Sequence, residues 1–334
     1  MKRLLLPFWG LFLITAFTAC FKEDEQLPPH PPGTVSVDTI AMTLTYKYQV
    51  YVDLKSRLET GTNIKSESDL AFDCSPDGGM ILLNTADFMY AADLGEVEFG
   101  SPKDTTGLTW RFDKSDGNPD SLAIGIWYQI IDGDTVSNNH VYLINAGLDD
   151  LGNALGYYQV IFDRLKNSVY HFRYASIDGS GIVADSIRKD PSVNRLYYSF
   201  LFQNEKRFEP AKNNWDLLFT QYTTLLYTDL GEPYPYLVTG VLINPNGVEV
   251  AVDTTLDFDQ ITESDAVQMN FNAARDAIGY EWKYYDFDLG TYTVDYKKNY
   301  LIRTTQGYLF KLRFVGFYNS AGEKGYPVIE FQEL

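Results

Sequence analysis

The stretch that most constrains this chain is its end, from Gly279 to Leu334, where short runs of aromatic and β-branched residues alternate with polar ones. Glu281–Phe287, Tyr292–Tyr296, Asn299–Arg303 and Tyr308–Phe314 each repeat on every second residue, the period of a strand with one buried face. Gly290, Thr305-Gln306-Gly307 and Asn319–Gly325 supply turn residues between them, and Tyr326–Gln332 makes a closing strand. A segment patterned in this way predicts an antiparallel meander, and the chain as a whole is expected to be all-β.

The meander has an earlier counterpart. Asn139-His140-Val141-Tyr142-Leu143-Ile144, a glycine turn and Gly156–Phe162 match Lys297-Lys298-Asn299-Tyr300-Leu301-Ile302, a glycine turn and Gly307–Phe314. The closing strands Val169-Tyr170-His171-Phe172 and Val328-Ile329-Glu330-Phe331 match in turn, Trp127 mirrors Trp282, and Asp69-Leu70-Ala71-Phe72 mirrors Asp216-Leu217-Leu218-Phe219. The matches keep one order, which predicts two tandem antiparallel β domains, residues 36–178 and 193–334, joined by a linker over 179–192.

Within the first copy, strands are expected at Ile40–Leu54, Leu70–Cys74, Met80–Asn84, Phe88–Ala92 and Leu108–Phe112, with a polar loop over Leu58–Ser68 and a long apolar run at Leu122–Ile131. In the second, strands are expected at Leu196–Phe202, Trp215–Tyr227, Tyr236–Ile243 and Val248–Val252. Only Phe258–Ala274 has helical character, from the cap and first-turn residues Thr262-Glu263-Ser264-Asp265.

Lys2-Arg3 followed by the apolar run Leu4–Phe17 reads as a leader too short to be taken for a membrane span. It ends at Phe17-Thr18-Ala19-Cys20, which looks like a bacterial lipobox. That likeness implies a signal peptide over 1–19, cleavage before Cys20 and lipidation of its thiol. Lys22-Glu23-Asp24-Glu25 resembles the export signal of Bacteroidetes surface lipoproteins, and Pro28, Pro29, Pro31 and Pro32 stiffen a tether over 20–35. The expected location is the outer membrane, lipid-anchored and facing the exterior, with the N-terminal lipid as the sole membrane contact.

The formal net charge of −18 argues against nucleic-acid partners, because both the chain and the phosphate backbone are anionic. Cys74 is the one cysteine left after Cys20, so no intrachain disulfide is expected, and Cys74 reads as a small buried hydrophobe. A hydrolase needs a nucleophile, a base and an orienting group together. The glycine-flanked Ser180 reads as linker, and no enzyme is expected. Asp113–Asp120 is oxygen-rich but lacks the alternating ligands and terminal glutamate of a calcium loop, and reads as a turn. Neither zinc spacing nor a phosphate-cradling loop is present, and no metal site is expected.

Asn213–Phe219, Tyr236–Ile243, Phe258-Asp259-Gln260-Ile261 and the Gly279–Leu334 meander, in this order, resemble the HmuY family. The resemblance covers most of 193–334 and, through the repeat, extends to 36–178. It implies an all-β surface lipoprotein of Bacteroidetes that binds haem or a similar small apolar ligand for iron and haem acquisition. A TonB-dependent outer-membrane transporter is the implied partner. That family holds haem iron between two histidines, one falling near Glu249 here and the other at Tyr284-Tyr285-Asp286-Phe287, and neither region contains histidine. Tyr285, Tyr284 and Glu249 are the candidate cofactor-binding residues at those positions, Tyr285 first, since tyrosine ligates ferric haem and a carboxylate does so poorly, and Met269, the one methionine of the second copy, is a further candidate that falls on neither position. His140 and His171 match neither ligand position. The alternative is a non-enzymatic glycan- or protein-binding surface module that has lost haem ligation, with Trp110, Trp127, Trp215 and Trp282 as stacking faces.

Overall fold

Period-two alternation gives each strand one apolar face, and a strand must cover that face with a second layer. A computed structural model describes residues 32–334 except Gly133. The lipobox, Cys20 and the tether as far as residue 31 lie outside the described residues. Those described form four principal antiparallel sheets and two short ribbons. No helix among them is long and apolar enough to cross a membrane.

Two cores hold the sheets together. In the first, a five-stranded sheet ordered Val183–Arg188, Val169–Ser176, Tyr157–Lys166, Val141–Asn145, Tyr90–Asp93 faces a four-stranded one ordered Asn204–Lys206, Arg195–Ser199, Leu70–Asp73, Ile81–Leu83. Phe72, Phe162, Phe172, Tyr170 and Tyr198 fill the space between them. In the second, Ser36–Thr39, Lys324–Glu333, Leu309–Tyr318, Asn299–Arg303 and Glu249–Asp253 face Pro233–Ile243, Leu217–Tyr227, Tyr48–Asp53 and Leu58–Ile64. Phe219, Phe310, Phe314, Phe331 and Trp282 fill that one, with Trp282 stacked on Phe314 at 3.9 Å between centroids. Each fully buried aromatic is worth about 1.5–3 kcal/mol. An exposed ion pair such as Lys55–Glu333 (2.6 Å) is worth about 0–1 kcal/mol, so the cores decide the fold.

The two cores are built alike but do not divide at 179–192. Arg195–Ser199 pairs with Leu70–Asp73, while Tyr48–Asp53 pairs with Leu217–Tyr227. Each core thus takes its opening strands from the other part of the chain, and residues 32–334 form one compact unit. This corrects the expected separation into 36–178 and 193–334: the sequence repeats in tandem, but the strands are exchanged. The supposed linker itself contains the edge strand Val183–Arg188.

The exchange is locked by matched polar contacts. Asp69 N donates to Tyr198 O, and the Asp69 carboxylate accepts from Phe200 N at 2.6 Å. In the other core Asp216 N donates to Val52 O, and its carboxylate accepts from Leu54 N at 2.9 Å. Asn84 donates its side-chain amide to Lys65 O and Ser68 O, as Asn244 does to Lys212 O and Trp215 O. Where the halves meet, the hydroxyls of the matching residues Tyr51 and Tyr197 lie 3.4 Å apart.

Several local expectations change. Leu58–Ile64 is a strand, paired with Tyr48–Asp53, and not a loop. Ile40–Tyr46 is not strand, because Thr43 and Tyr46 have positive φ and turn the chain there. Leu108–Phe112 contributes only a bridge between Arg111 and Ala91. The helical stretch shrinks to a 3-10 turn at Phe258–Gln260 and one α-helical turn, Glu263–Ala266, held by the Thr262–Asp265 capping box.

Burial pushes the Asp69 carboxyl up to about 7 and that of Asp216 up to about 6. Losing the acceptor still leaves a buried N–H unpaired. Asp216→Ala is therefore expected to cost about 1–3 kcal/mol and Asp216→Asn, which keeps an acceptor, less. Urea unfolding should show this as a lower midpoint at unchanged slope.

Candidate functional site

The cores match but their margins do not. In the first core the hairpin Leu70–Asp73/Ile81–Leu83 is short, while its counterpart Leu217–Tyr227/Pro233–Ile243 runs on for several more residues. That extension forms one wall of a cleft. The opposite wall is the ribbon Lys283–Asp286/Thr291–Val294, in which Tyr285 pairs with Tyr292. Between them lies a space of about 650 Å³, within the range of pockets that hold drug-sized ligands.

Tyrosines dominate the lining: Tyr46, Tyr234, Tyr236, Tyr280, Tyr284, Tyr285 and Tyr292. The Tyr285 ring stands edge-on to Tyr292 and Phe287 at 5.2 Å. Burial raises the phenols of Tyr46 and Tyr292, so both are hydrogen-bond donors at neutral pH. The hairpin tips carry exposed Leu230 and Phe287.

Lys283, at the floor, is a residue that the sequence reading missed. Only 9% of it is exposed, and burial pushes its ammonium down to about 7. Nζ donates to Thr239 O at 2.5 Å and lies 4.2 Å from the Trp282 ring centroid and 4.9 Å from that of Phe317. The first core shows what occupies the matching place there. Trp127 Nε1 donates to Gly79 O at 2.8 Å, and Tyr128 packs so closely that a Cβ on Gly79 would come within 2.6 Å of its hydroxyl. Residue 79 matches Thr239 and Tyr128 matches Lys283. In the second core Lys283 donates to the Thr239 carbonyl, and Trp282 Nε1 has no hydrogen-bond partner among the described residues. The signal was present in the repeat as Trp127-Tyr128 against Trp282-Lys283, an apolar plug exchanged for a cation.

Two further cations border the cleft. Lys298 donates to Glu281 O at 2.8 Å, and Lys324 lies 5.6 Å from the Tyr46 ring centroid. Glu281 is the one carboxylate among the lining residues.

The structure brings Tyr284 and Tyr285 to this cleft but not Glu249 or Met269. Glu249 is the ladder partner of Arg303 and pairs with its guanidinium at 2.5 Å, so its charge is already matched. Met269 packs against the apolar cluster of Ala251, Ile261, Ala266, Leu301 and Leu334. His140 lies in the first half, with Nδ1 2.9 Å from an Asp93 carboxylate oxygen. Burial and neighbouring Arg164 hold His171 below its ordinary range. No group of three His, Cys, Asp or Glu side chains among the described residues is placed to hold a metal ion. Cys74 is buried, and burial raises its thiol. Asp113 accepts from Leu83 N and Ala123 N, which makes the Asp113 turn architectural.

A family model described as HmuY protein matches residues 45–331. Comparison with curated proteins finds no match. Among solved structures, the chain is similar to apo PinO from Porphyromonas gingivitis, with 9% identity, 90% of this chain and 97% of that one covered, and a TM-score of 0.28. The apo HmuY analog of Tannerella forsythia gives 10% identity, 90% and 95% coverage, and a TM-score of 0.25. A protein from Bacteroides fragilis gives 16% identity, 54% and 90% coverage, and a TM-score of 0.18.

Lys283 also sets a pH dependence. Its folded value lies near 7 and its ordinary one is 10.5, so between these the unfolded chain binds more protons and stability rises with pH. Lys283→Met is thus expected to melt above the wild type at pH 7. The gap should narrow as pH is raised toward 10, as followed by thermal unfolding at each pH.

Proposed function

Because the chain belongs to the HmuY family, we propose that its tyrosine-walled cleft captures haem or a similar flat apolar ligand. The observation that carries this reading is the cleft itself: about 650 Å³ between two hairpins, lined by seven tyrosines. Aromatic faces at that density suit a planar apolar ligand, which gains from stacking as well as from area removed from water.

The donor set is compatible with haem through tyrosine. Of the axial ligands that haem iron accepts, His, Met and Cys are missing from the lining and Tyr is plentiful. Tyr285 is the residue proposed to meet the iron, with Tyr284 as second candidate. A bound haem would supply the iron-ligand bond, and the chain supplies the aromatic walls and the floor. The role is capture and transfer, not catalysis. In this reading Cys20 carries the lipid, the protein faces outward from the outer membrane, and the ligand passes to a TonB-dependent transporter for iron and haem acquisition.

A glycan-stacking role draws less support. Trp127, Trp215 and Trp282 are each at most 2% exposed and offer no free face, which leaves Trp110, half-buried beside Tyr157.

Haemin titrated into the full chain in detergent is expected to shift and sharpen its Soret band at micromolar concentration, and Tyr285→Phe to weaken or abolish that shift. An unchanged band in the wild type would remove the haem reading. A shift indifferent to Tyr285→Phe would remove Tyr285 as ligand.

A further inference from the structure

We propose that this cleft selects ligands that carry an acidic group in addition to a flat apolar body, and that the Lys283 ammonium at its floor is the contact for that acid. The inference rests on the capture reading above and narrows its ligand class.

Three observations converge on it. The first is an unmatched cation. An ammonium has three N–H donors, and Lys283 has one acceptor, Thr239 O, the rest of its near surroundings being the rings of Trp282, Tyr292 and Phe317. Placing a charge where water is largely excluded costs several kcal/mol unless a counter-charge accompanies it. Among the described residues no carboxylate lies within ion-pair distance of Lys283, and the other buried lysines without one, Lys189 and Lys311, have three and two carbonyl acceptors where Lys283 has one.

The second is the internal comparison. At the matching place in the first core, Tyr128 closes the gap against Gly79, and the tryptophan hydrogen-bonds the same carbonyl. That arrangement serves the architecture without a lysine at the matching position, and the buried ammonium nearest to it, Lys189 Nζ, is held by three backbone carbonyls, Ser75 O, Pro76 O and Gly78 O. A lysine is therefore not required by the fold at this point, and beside it Trp282 Nε1 has no hydrogen-bond partner among the described residues.

The third is the local reversal of sign. The chain has 45 acidic against 27 basic residues, yet the cleft lining has Lys283, Lys298 and Lys324 against Glu281 alone. An anion approaching this protein is repelled by most of its surface and attracted here. A carboxylate reaching Lys283 would supply the missing counter-charge and accept the free N–H groups in a low-dielectric setting, where such a bond is strong.

Haemin and haemin dimethyl ester separate acid recognition from the rest, because esterification removes both carboxylates and leaves the iron and the ring. Titrated into the full chain in detergent and followed by Soret absorbance and tyrosine fluorescence, haemin is expected to bind about tenfold or more tighter than the ester. In Lys283→Met the ratio of the two affinities should fall to about one, chiefly through loss of haemin affinity. Lys283→Gln provides a second neutral variant, each variant being checked by far-UV circular dichroism and melting. Equal affinity for acid and ester in the wild type would overturn acid selection and leave haem capture standing. Binding of neither would overturn both. A gap that survives in a folded neutral variant would overturn Lys283 as its origin.

Discussion

Two buried aspartates hold the molecule in its exchanged arrangement. Asp69 accepts from Phe200 N and Asp216 from Leu54 N, and in each case carboxylate and amide come from opposite halves of the chain. Both acids pay for burial, as their raised values indicate, and neither has a cation as partner. What they secure is register. A strand shifted by one residue would turn its apolar face outward, and a fixed carboxylate at the strand end makes that shift costly. The placing of both cores, and of the hairpins that rise from the second, follows from these anchors.

From that frame the cleft arises by a small change. The first core is sealed at its margin by Tyr128 packed on Gly79. The second has a longer hairpin, a lysine in place of the tyrosine, and open space between ribbon and hairpin. Two copies of one architecture therefore differ mainly in whether this corner is filled from within. The cation–π contacts of Lys283 with Trp282 and Phe317, together with one carbonyl, keep the ammonium in place without neutralising it.

The fold was readable where period two was clean. Asn299–Arg303 has the boundaries its pattern suggests, and the repeated Tyr142 and Tyr300 occupy corresponding core positions. Strand exchange was not readable, because alternation states which face of a strand is buried and not which strand lies beside it. Leu58–Ile64 escaped notice for a related reason: its Glu59, Thr60 and Thr62 give an edge strand with a largely wet surface. For the site, Tyr284 and Tyr285 could be singled out from the sequence, whereas Lys283 looked like an ordinary polar residue between aromatics. Its burial depends on the long hairpin folding over it, a tertiary fact. Glu249 and Met269 show the converse, since their neighbours Arg303 and Leu301 come from distant parts of the chain.

The pairing of Ser36–Thr39 with the stretch Val328–Phe331 places the first and last described strands side by side. A nascent chain therefore holds Ser36–Thr39 without its partner until Val328–Phe331 has been made. Tyr48–Asp53 waits similarly for Leu217–Phe219. Contacts this distant in sequence carry a large loop-closure entropy and slow the search for the native state. The second core cannot close piecemeal during synthesis, and the wall of the cleft is among the parts that depend on it.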